Sequence, residues 1–368
     1  MRKHLLPMVG VLMATALLFT WTGLALAARP IRTIALPTEI AVPGQSGETR
    51  CPAGQLSVQF QEGPLVWQCK PKPTTTTTTR LTTTTTRATT TTAGPTTTKP
   101  SSGWWVPGTG AIEWQWELDH TLSLSSATDI GTGDQTYTGA AAPTPTVYDV
   151  DGIDNPASVV TALHAKGDKV ICYIETGDVG NYYSASDEGI PTTYYQQLSV
   201  AGDLGTKQQG WPEYYININA SSTLSIVEAM ISQQCHAKGF DGVETDNDET
   251  WQDSTGFNIS EANDITYMTS IANYIHSLGM ADVLKNCDDV GNTSFCNAMY
   301  PLVDAVISEQ CNQYGTCSDL GNFLGHKAIF NAEYSTSPSS FCPKDNASGI
   351  NGVYFDVNLD GKTRVPCR

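Results

Sequence analysis

Basic residues are scarce in this 368-residue chain, where 20 Lys and Arg stand against 37 Asp and Glu. The imbalance is uneven: residues 104–368 carry 34 acidic and 10 basic side chains, residues 1–103 only 3 and 10. A field that negative repels phosphate backbones and anionic membranes, which excludes nucleic acid as a partner, and it concentrates cationic ligands. Histidine is also sparse. His4, His120, His164, His236, His276 and His326 are scattered, with no HExxH and no Asp-His-His set, and no GxSxG elbow occurs. Serine-elbow and zinc-hydrolase chemistry therefore lack their residues. No CxxC spacing is present either, so neither a metal nor a cofactor is expected.

The ten cysteines (51, 69, 172, 235, 287, 296, 311, 317, 342 and 367) form an even set, which reads as disulfides in an exported chain. Met1-Arg2-Lys3-His4 precedes an apolar stretch from Leu5 to Ala28, and Ala25-Leu26-Ala27 has the small-x-small form of a cleavage site. Residues 1–27 thus read as a signal peptide of a secreted protein. The stretch is also long enough to span a bilayer, and uncleaved it is a signal anchor holding the protein at the cell surface. Asn-x-Ser sequons at Asn219, Asn258, Asn292 and Asn346 fit the same route. Residues 73–103 are rich in Thr and Pro, cannot bury a core, and form a linker. Residues 28–72 hold a small module whose alternating apolar residues at 56–60 and 65–67 predict a hairpin, closed by Cys51 and Cys69. Its role stays open between a carbohydrate or wall anchor and a structural stub.

From Trp104 to Arg368, short β-rich runs alternate with stretches of helical periodicity. The eight runs, 114–119, 147–151, 170–175, 241–246, 282–286, 304–309, 328–333 and 353–357, predict an α/β fold, a (β/α)₈ barrel. Residues 156–165, 225–237 and 259–278 read as amphipathic helices between them. A ninth run, 214–218, falls in a long loop after the third strand that is expected to carry substrate contacts. Nearly every run ends in a polar side chain: Asp119, Asp151, Glu175, Asp246, Lys285 with Asn286, Glu309, Glu333 and Asp356. In a parallel barrel these ends meet on one face, and strand alternation puts Glu244 on the side of Asp246. Capping of following helices accounts for some of them. A ring of carboxylates suits glycosidic hydrolysis, in which one acid protonates the leaving oxygen and a second stabilises or attacks the oxocarbenium centre.

The ordered blocks WQWELD (114–119), VYDVD (147–151), VICYIETG (170–177), GFDGVETDN (239–247), LKN (284–286), SEQC (308–311) and NAEY (331–334) make residues 104–368 resemble the endo-α-1,4-polygalactosaminidase family, glycoside hydrolase family 114. The resemblance implies a TIM barrel and retaining cleavage of α-1,4-linked galactosamine or N-acetylgalactosamine chains. It implies Asp246 as nucleophile, matching the Asp of the family's Glu-Pro-Asp-Asn motif, and Glu309, in the Glu-Gln-Cys block, as acid/base. Thr245 stands where the family usually has Pro, and Glu175-Thr176-Gly177 where Ser-Ala-Gly is common, which puts subsite preference in doubt. Deacetylated galactosamine chains are polycations near neutral pH, which fits an acidic barrel. Asp119, Asp149, Asp151, Glu244 and Glu333 are expected to contact sugar amines or hydroxyls, and Trp116, Tyr173 and Tyr334 to stack on sugar faces. Glu175, Asn247, Lys285, Asn286 and Asp356 complete the expected substrate-binding set. The expected partner is a cationic galactosamine-containing polysaccharide, met by a monomer. Two other readings stand beside this one: a non-catalytic carbohydrate-binding barrel that has kept the cleft, and a hydrolase of another α-linked glycan.

Overall fold

The computed structural model describes residues 103–368 apart from Asn292, together with the backbone of two N-terminal strands. These fall in two compact units. In the smaller, Gln55–Phe60 and Val66–Pro71 pair antiparallel with Ser57 opposite Cys69, the hairpin that the alternation at 56–60 and 65–67 predicts. Cys51, the expected Cys51–Cys69 pairing, the linker and the apolar N-terminus lie outside the described residues. Among the described residues no helix is long and apolar enough to cross a membrane.

The larger unit is a barrel-like sheet. Its parallel strands are β1 (Trp114–Glu117), β2 (Val147–Asp151), β3 (Lys169–Glu175), β4 (Gly242–Asp246), β5 (Ala281–Lys285), β6 (Ala305–Glu309), β7 (Ala328–Glu333) and β8 (Asn351–Phe355). Each pairs with the next in chain order. The ring is nearly closed. Its seam between β8 and β1 is filled by the C-terminal tail, where β9 (Arg364–Pro366) runs antiparallel to β8. There the Leu118 amide donates to Leu359 O at 2.9 Å, and the Arg364 Nε donates to Trp114 O at 2.8 Å.

Strands buried on both faces read as near-continuous apolar runs, and here alternate residues serve two cores. Trp114, Trp116, Ile171, Val283, Ile307, Phe330 and Phe355 fill the barrel axis. Trp114 meets Phe330 and Phe355 at ring-centroid distances of 5.2 and 5.3 Å, closing the lower part of the interior. Tyr148, Val150, Val170, Cys172, Val243, Leu284, Val306 and Ile329 face the surrounding helices. Truncating a ring of the axial layer, as in Phe330→Ala, costs about 3–5 kcal/mol.

Between β3 and β4 the chain makes a long excursion with helices Ala185–Glu188 and Tyr194–Ala201. Its antiparallel sheet puts Glu213–Ile216 between Asp178–Gly180 and Leu204–Lys207. The ninth run of the sequence is therefore the middle strand of this small sheet. The expected helix at 225–237 begins earlier, at Ser221, and its α-helical part ends at Met230. A π turn, Ile231–Cys235, follows, and the Cys172–Cys235 disulfide ties it to β3. The eighth strand ends at Phe355, which leaves Asp356 in the next turn.

All eight cysteines of the barrel are paired, in a connectivity the spacing left open: Cys172–Cys235, Cys287–Cys296, Cys311–Cys317 and Cys342–Cys367. Two of these close short loops immediately after β5 and β6, behind Lys285 and Glu309. Loops so short lose little entropy on closure, so these two bridges hold the loops in place more than they stabilise the whole chain.

Candidate active site

Four adjacent strands, β3 to β6, bring their C-terminal ends to one mouth, and the mouth opens into a cavity of about 330 Å³. Register sets its floor: Tyr173 lies opposite Glu244 and Glu175 opposite Asp246. At its centre is Lys285, with a side chain only 4 % exposed. Its ammonium stands 3.0 Å from Glu244 Oε1, 3.1 Å from Asp246 Oδ1 and 3.2 Å from Glu309 Oε2, pairing with all three carboxylates and donating to Asp246. The same nitrogen lies 4.7 Å from the Trp116 ring centroid.

Each carboxylate has a further partner. Trp116 Nε1 donates to Glu244 Oε2 at 3.1 Å, and the Tyr173 hydroxyl donates to Asp246 Oδ2 at 2.6 Å. Glu309 accepts from Asn286 Nδ2 at 2.9 Å and from the Tyr334 hydroxyl. The Asn286 side chain also accepts from the Glu309 amide at 2.8 Å, locking the ends of β5 and β6 together. Asp246 and Glu309 keep side-chain exposures of 18 % and 26 %, so both remain open to the cavity.

Burial disfavours the charge of Lys285, but Asp246, Glu244 and Glu309 together outweigh it and hold its pKa above the usual lysine value. Glu244 is pushed up to about 7 by burial, with Lys285 pulling the other way. Burial and the adjacent carboxylates raise the Tyr173 and Tyr334 hydroxyls, which therefore stay protonated and donate.

Left-handed backbone follows each of the three central strand ends, at Asn247 (φ 57°), Asn286 (φ 47°) and Gln310 (φ 59°). Such φ values cost non-glycine residues free energy and persist where surroundings over-determine them, a pattern concentrated at functional sites. Here the turn immediately after Asp246, Lys285 and Glu309 takes the backbone away from the mouth. Gly177 is required beside it, because a Cβ there would lie 1.8 Å from Asn247 O.

Residues 94–368 match the model of glycoside-hydrolase family GH114. The chain belongs to this family. Among solved structures, the crystal structure of Aspergillus fumigatus Ega3 in complex with galactosamine is similar at 25 % identity and a TM-score of 0.56, over 70 % of this chain and 95 % of that one. The glycoside hydrolase domain of PelA from Pseudomonas aeruginosa is similar at 12 % identity and a TM-score of 0.48, over 68 % of this chain and 97 % of that one. No curated protein matches in sequence. Family membership makes the protein a glycosidase, with a polysaccharide as the implied substrate.

Within this GH114 barrel the expected site residues divide. Trp116, Tyr173, Asp246, Asn247, Lys285, Asn286 and Glu309 line the cavity, and Tyr334 reaches it through Glu309. Asp149 and Glu244, both fully buried, lie under the floor, where no sugar reaches them. Glu333 points the other way: Ala328, Phe330 and Ala332 of β7 fill the barrel axis, so alternation turns Glu333 outward. There its Oε1 accepts from the Asn312 amide at 2.8 Å. Asp151 accepts from the Ile153 and Asp154 amides and from the Tyr183 hydroxyl, capping the turn after β2. Glu175 accepts from the Gly180 amide at 2.6 Å and from the Tyr182 hydroxyl, anchoring the excursion. Asp119 lies beside His120, and Asp356 accepts from the Asn358 amide; neither lines the cavity.

The walls come from residues that strand-end reasoning missed. Gln208, Trp211, Glu213 and Tyr215 descend from the excursion, Glu249 and Asp253 from the loop after β4, and Asp289 from the loop after β5. The alternation Glu213, Tyr215 along Glu213–Ile216 was the available signal for the first group, since it puts both on one face of that strand. Six carboxylates thus line the cavity against one cation, Lys285, which is already paired with Glu244, Asp246 and Glu309.

Among the described residues one group, Glu117, His120 and Asp129, has metal-compatible spacing. His120 Nδ1 lies 3.1 Å from Glu117 and Nε2 3.3 Å from Asp129, so the imidazole sits between the two carboxylates. The arrangement suits a bridging imidazole.

The acidity has a cost in stability. Burial pushes Asp264 and Glu188 up to about 7 and Asp282 further, so the folded chain keeps protons that the unfolded chain releases near pH 4. The stability these groups contribute is complete below about pH 4 and is lost as pH rises through 7. The melting temperature is expected to be at least about 5 °C higher at pH 5 than at pH 8. An equal or higher value at pH 8, by calorimetry, would contradict this.

Proposed function

We propose that this protein is a secreted, retaining glycosidase of cationic α-1,4-linked galactosamine and N-acetylgalactosamine chains, with Asp246 as nucleophile and Glu309 as acid/base. The observation that carries the reading is the shared ammonium of Lys285. Standing 3.1 Å from one carboxylate oxygen and 3.2 Å from the other, it bounds the gap between those oxygens to their sum, about 6.3 Å. Retaining enzymes hold their carboxyl groups about 5–5.5 Å apart, inverting ones about 6.5–9.5 Å to admit a water.

In the first step Glu309 gives its proton to the glycosidic oxygen while an Asp246 oxygen attacks the anomeric carbon, forming a glycosyl ester and releasing the leaving chain. In the second, Glu309 takes a proton from water, whose oxygen attacks the same carbon and returns Asp246 as carboxylate. Lys285 and the Tyr173 hydroxyl stabilise the charge of Asp246 as it leaves.

The acidic walls support an amino-sugar substrate: Glu213, Glu249, Asp253 and Asp289 surround the mouth, and Trp211 and Tyr215 offer apolar ring faces to the sugar. The galactosamine complex of the 25 %-identical Ega3 supports the same class. Four disulfides and the apolar N-terminal segment support secretion.

The test is oligosaccharide release by the full chain from partly deacetylated α-1,4-linked galactosamine polymer, with a neutral α-galactan as control. Release from the first alone, falling as salt is raised to 0.5 M, is expected. Release from the neutral polymer alone, or binding without any release, would reject the reading.

A further inference from the structure

One layer below the floor, two acidic side chains are sealed in the barrel. Glu244 of β4 and Asp149 of β2 are both 0 % exposed. Glu244 is held from two sides, by Lys285 at Oε1 and by Trp116 at Oε2. Asp149 has no donor at either oxygen. Glu244 lies within hydrogen-bonding reach of it, and the charges of Lys285 and Asp246 act on it. Two carboxylates in contact inside a dry barrel cannot both be charged. The arrangement is satisfied when Asp149 carries a proton and donates it to Glu244. Burial, reinforced by the charge of Glu244, raises Asp149 well above the ordinary carboxylate range, in keeping with that state.

We propose that Asp149 and Glu244 are positioning residues for the reaction above: the Asp149 hydroxyl orients Glu244, and Glu244 keeps the Lys285 ammonium midway between Asp246 and Glu309. This rests on the Asp246/Glu309 reading. Its value lies in the second half of the cycle. When Asp246 becomes a glycosyl ester its charge disappears, and an ammonium held only by Asp246 and Glu309 would swing to Glu309. Glu244 is untouched by the chemistry and provides a fixed third anchor. Lys285 then stays in place while Glu309 acts as base, ready to meet the Asp246 carboxylate when it re-forms. A neutral hydroxyl at Asp149 does this without adding a charge to the floor.

The discriminating variants are Asp149→Ala and Asp149→Asn, since the amide supplies an N–H donor in the place of the acid O–H and cannot ionise. Asp149→Ala is expected to lower kcat about 100-fold with KM within about threefold of the parent, the scale of a misplaced catalytic group. Asp149→Asn is expected to recover at least tenfold of that loss, with both limbs of the pH–rate profile where the parent has them. An Asn variant as slow as the Ala variant, or one whose profile shifts, would overturn the proposal, because it would make Asp149 a working carboxylate or a mere space-filler.

A second measurement does not depend on turnover. The infrared difference spectrum of parent minus Asp149→Asn at pH 7 should show the carbonyl band of one buried protonated carboxyl group. Its absence would overturn the proposal even in an active enzyme. If the parent cleaves nothing while the band is present, the functional reading fails and the proton assignment stands.

Discussion

The Asp246→Asn variant is expected to lose glycosidase activity by on the order of 10⁴-fold or more while folding like the parent, because the amide cannot form the glycosyl ester. Asp246 is 18 % exposed and sits in a crowd of like charges, so removing its charge leaves no hole and relieves repulsion. Glu309→Gln should lose about 10²- to 10⁴-fold, the contribution of general acid–base catalysis. Its effect should be smaller on a substrate whose leaving group needs no proton. Under those conditions the Glu309→Gln variant should accumulate the ester. Mass spectrometry of the quenched protein would then find one glycosyl unit on the peptide that contains Asp246. A glycosyl unit elsewhere, or full activity in either variant, would remove the assignment of the pair.

Lys285→Met should be nearly as damaging, for a different reason. Methionine fills a similar volume but leaves Glu244, Asp246 and Glu309 with no counter-charge. Removing one partner of a buried ionic group costs about 3–5 kcal/mol, so the melting temperature should fall visibly. The acid limb of the kcat/KM profile should move to higher pH, since the positive charge that favoured ionised carboxylates is gone. Activity should fall by about 10³-fold or more at the parent's optimum. Lys285→Arg is not expected to rescue: a planar guanidinium spreads its charge and cannot replace one compact ammonium set among three converging carboxylates. A Lys285→Met enzyme with the parent's pH profile would mean that the lysine is a packing residue only.

Much of the barrel was legible in the sequence because parallel strands carry a simple signal, an apolar run that ends in a polar side chain at the mouth. Asp246, Lys285 and Glu309 sit at or next to the end of such a run, Trp116 and Tyr173 two or three residues before the end of theirs, and all five line the cavity. Alternation also put Glu244 on the side of Asp246, as found. What alternation could not supply was the sign. Both faces of a parallel strand are buried, so the runs that hold Glu309 and Glu333 look alike, 304–309 ending as 328–333 does. Glu309 faces the axis because its partner in register is Ala332, an axial residue; Glu333 is one step further along β7 and faces out.

The amino-acid sequence by itself therefore determined the architecture and the order of the strands, since these rest on local periodicity and on short blocks of neighbouring residues; Asp246 and Glu309 entered as a pair only through the family resemblance. The tertiary structure alone decided which acids share a face, which cysteines pair and what encloses the mouth. Lys285 joins three carboxylates 24 to 41 positions away along the chain, and Trp211 and Glu213 reach the cavity from an excursion with its own small sheet. Contacts of that kind depend on strand register and on the path of loops through space, and no period in a single sequence encodes either.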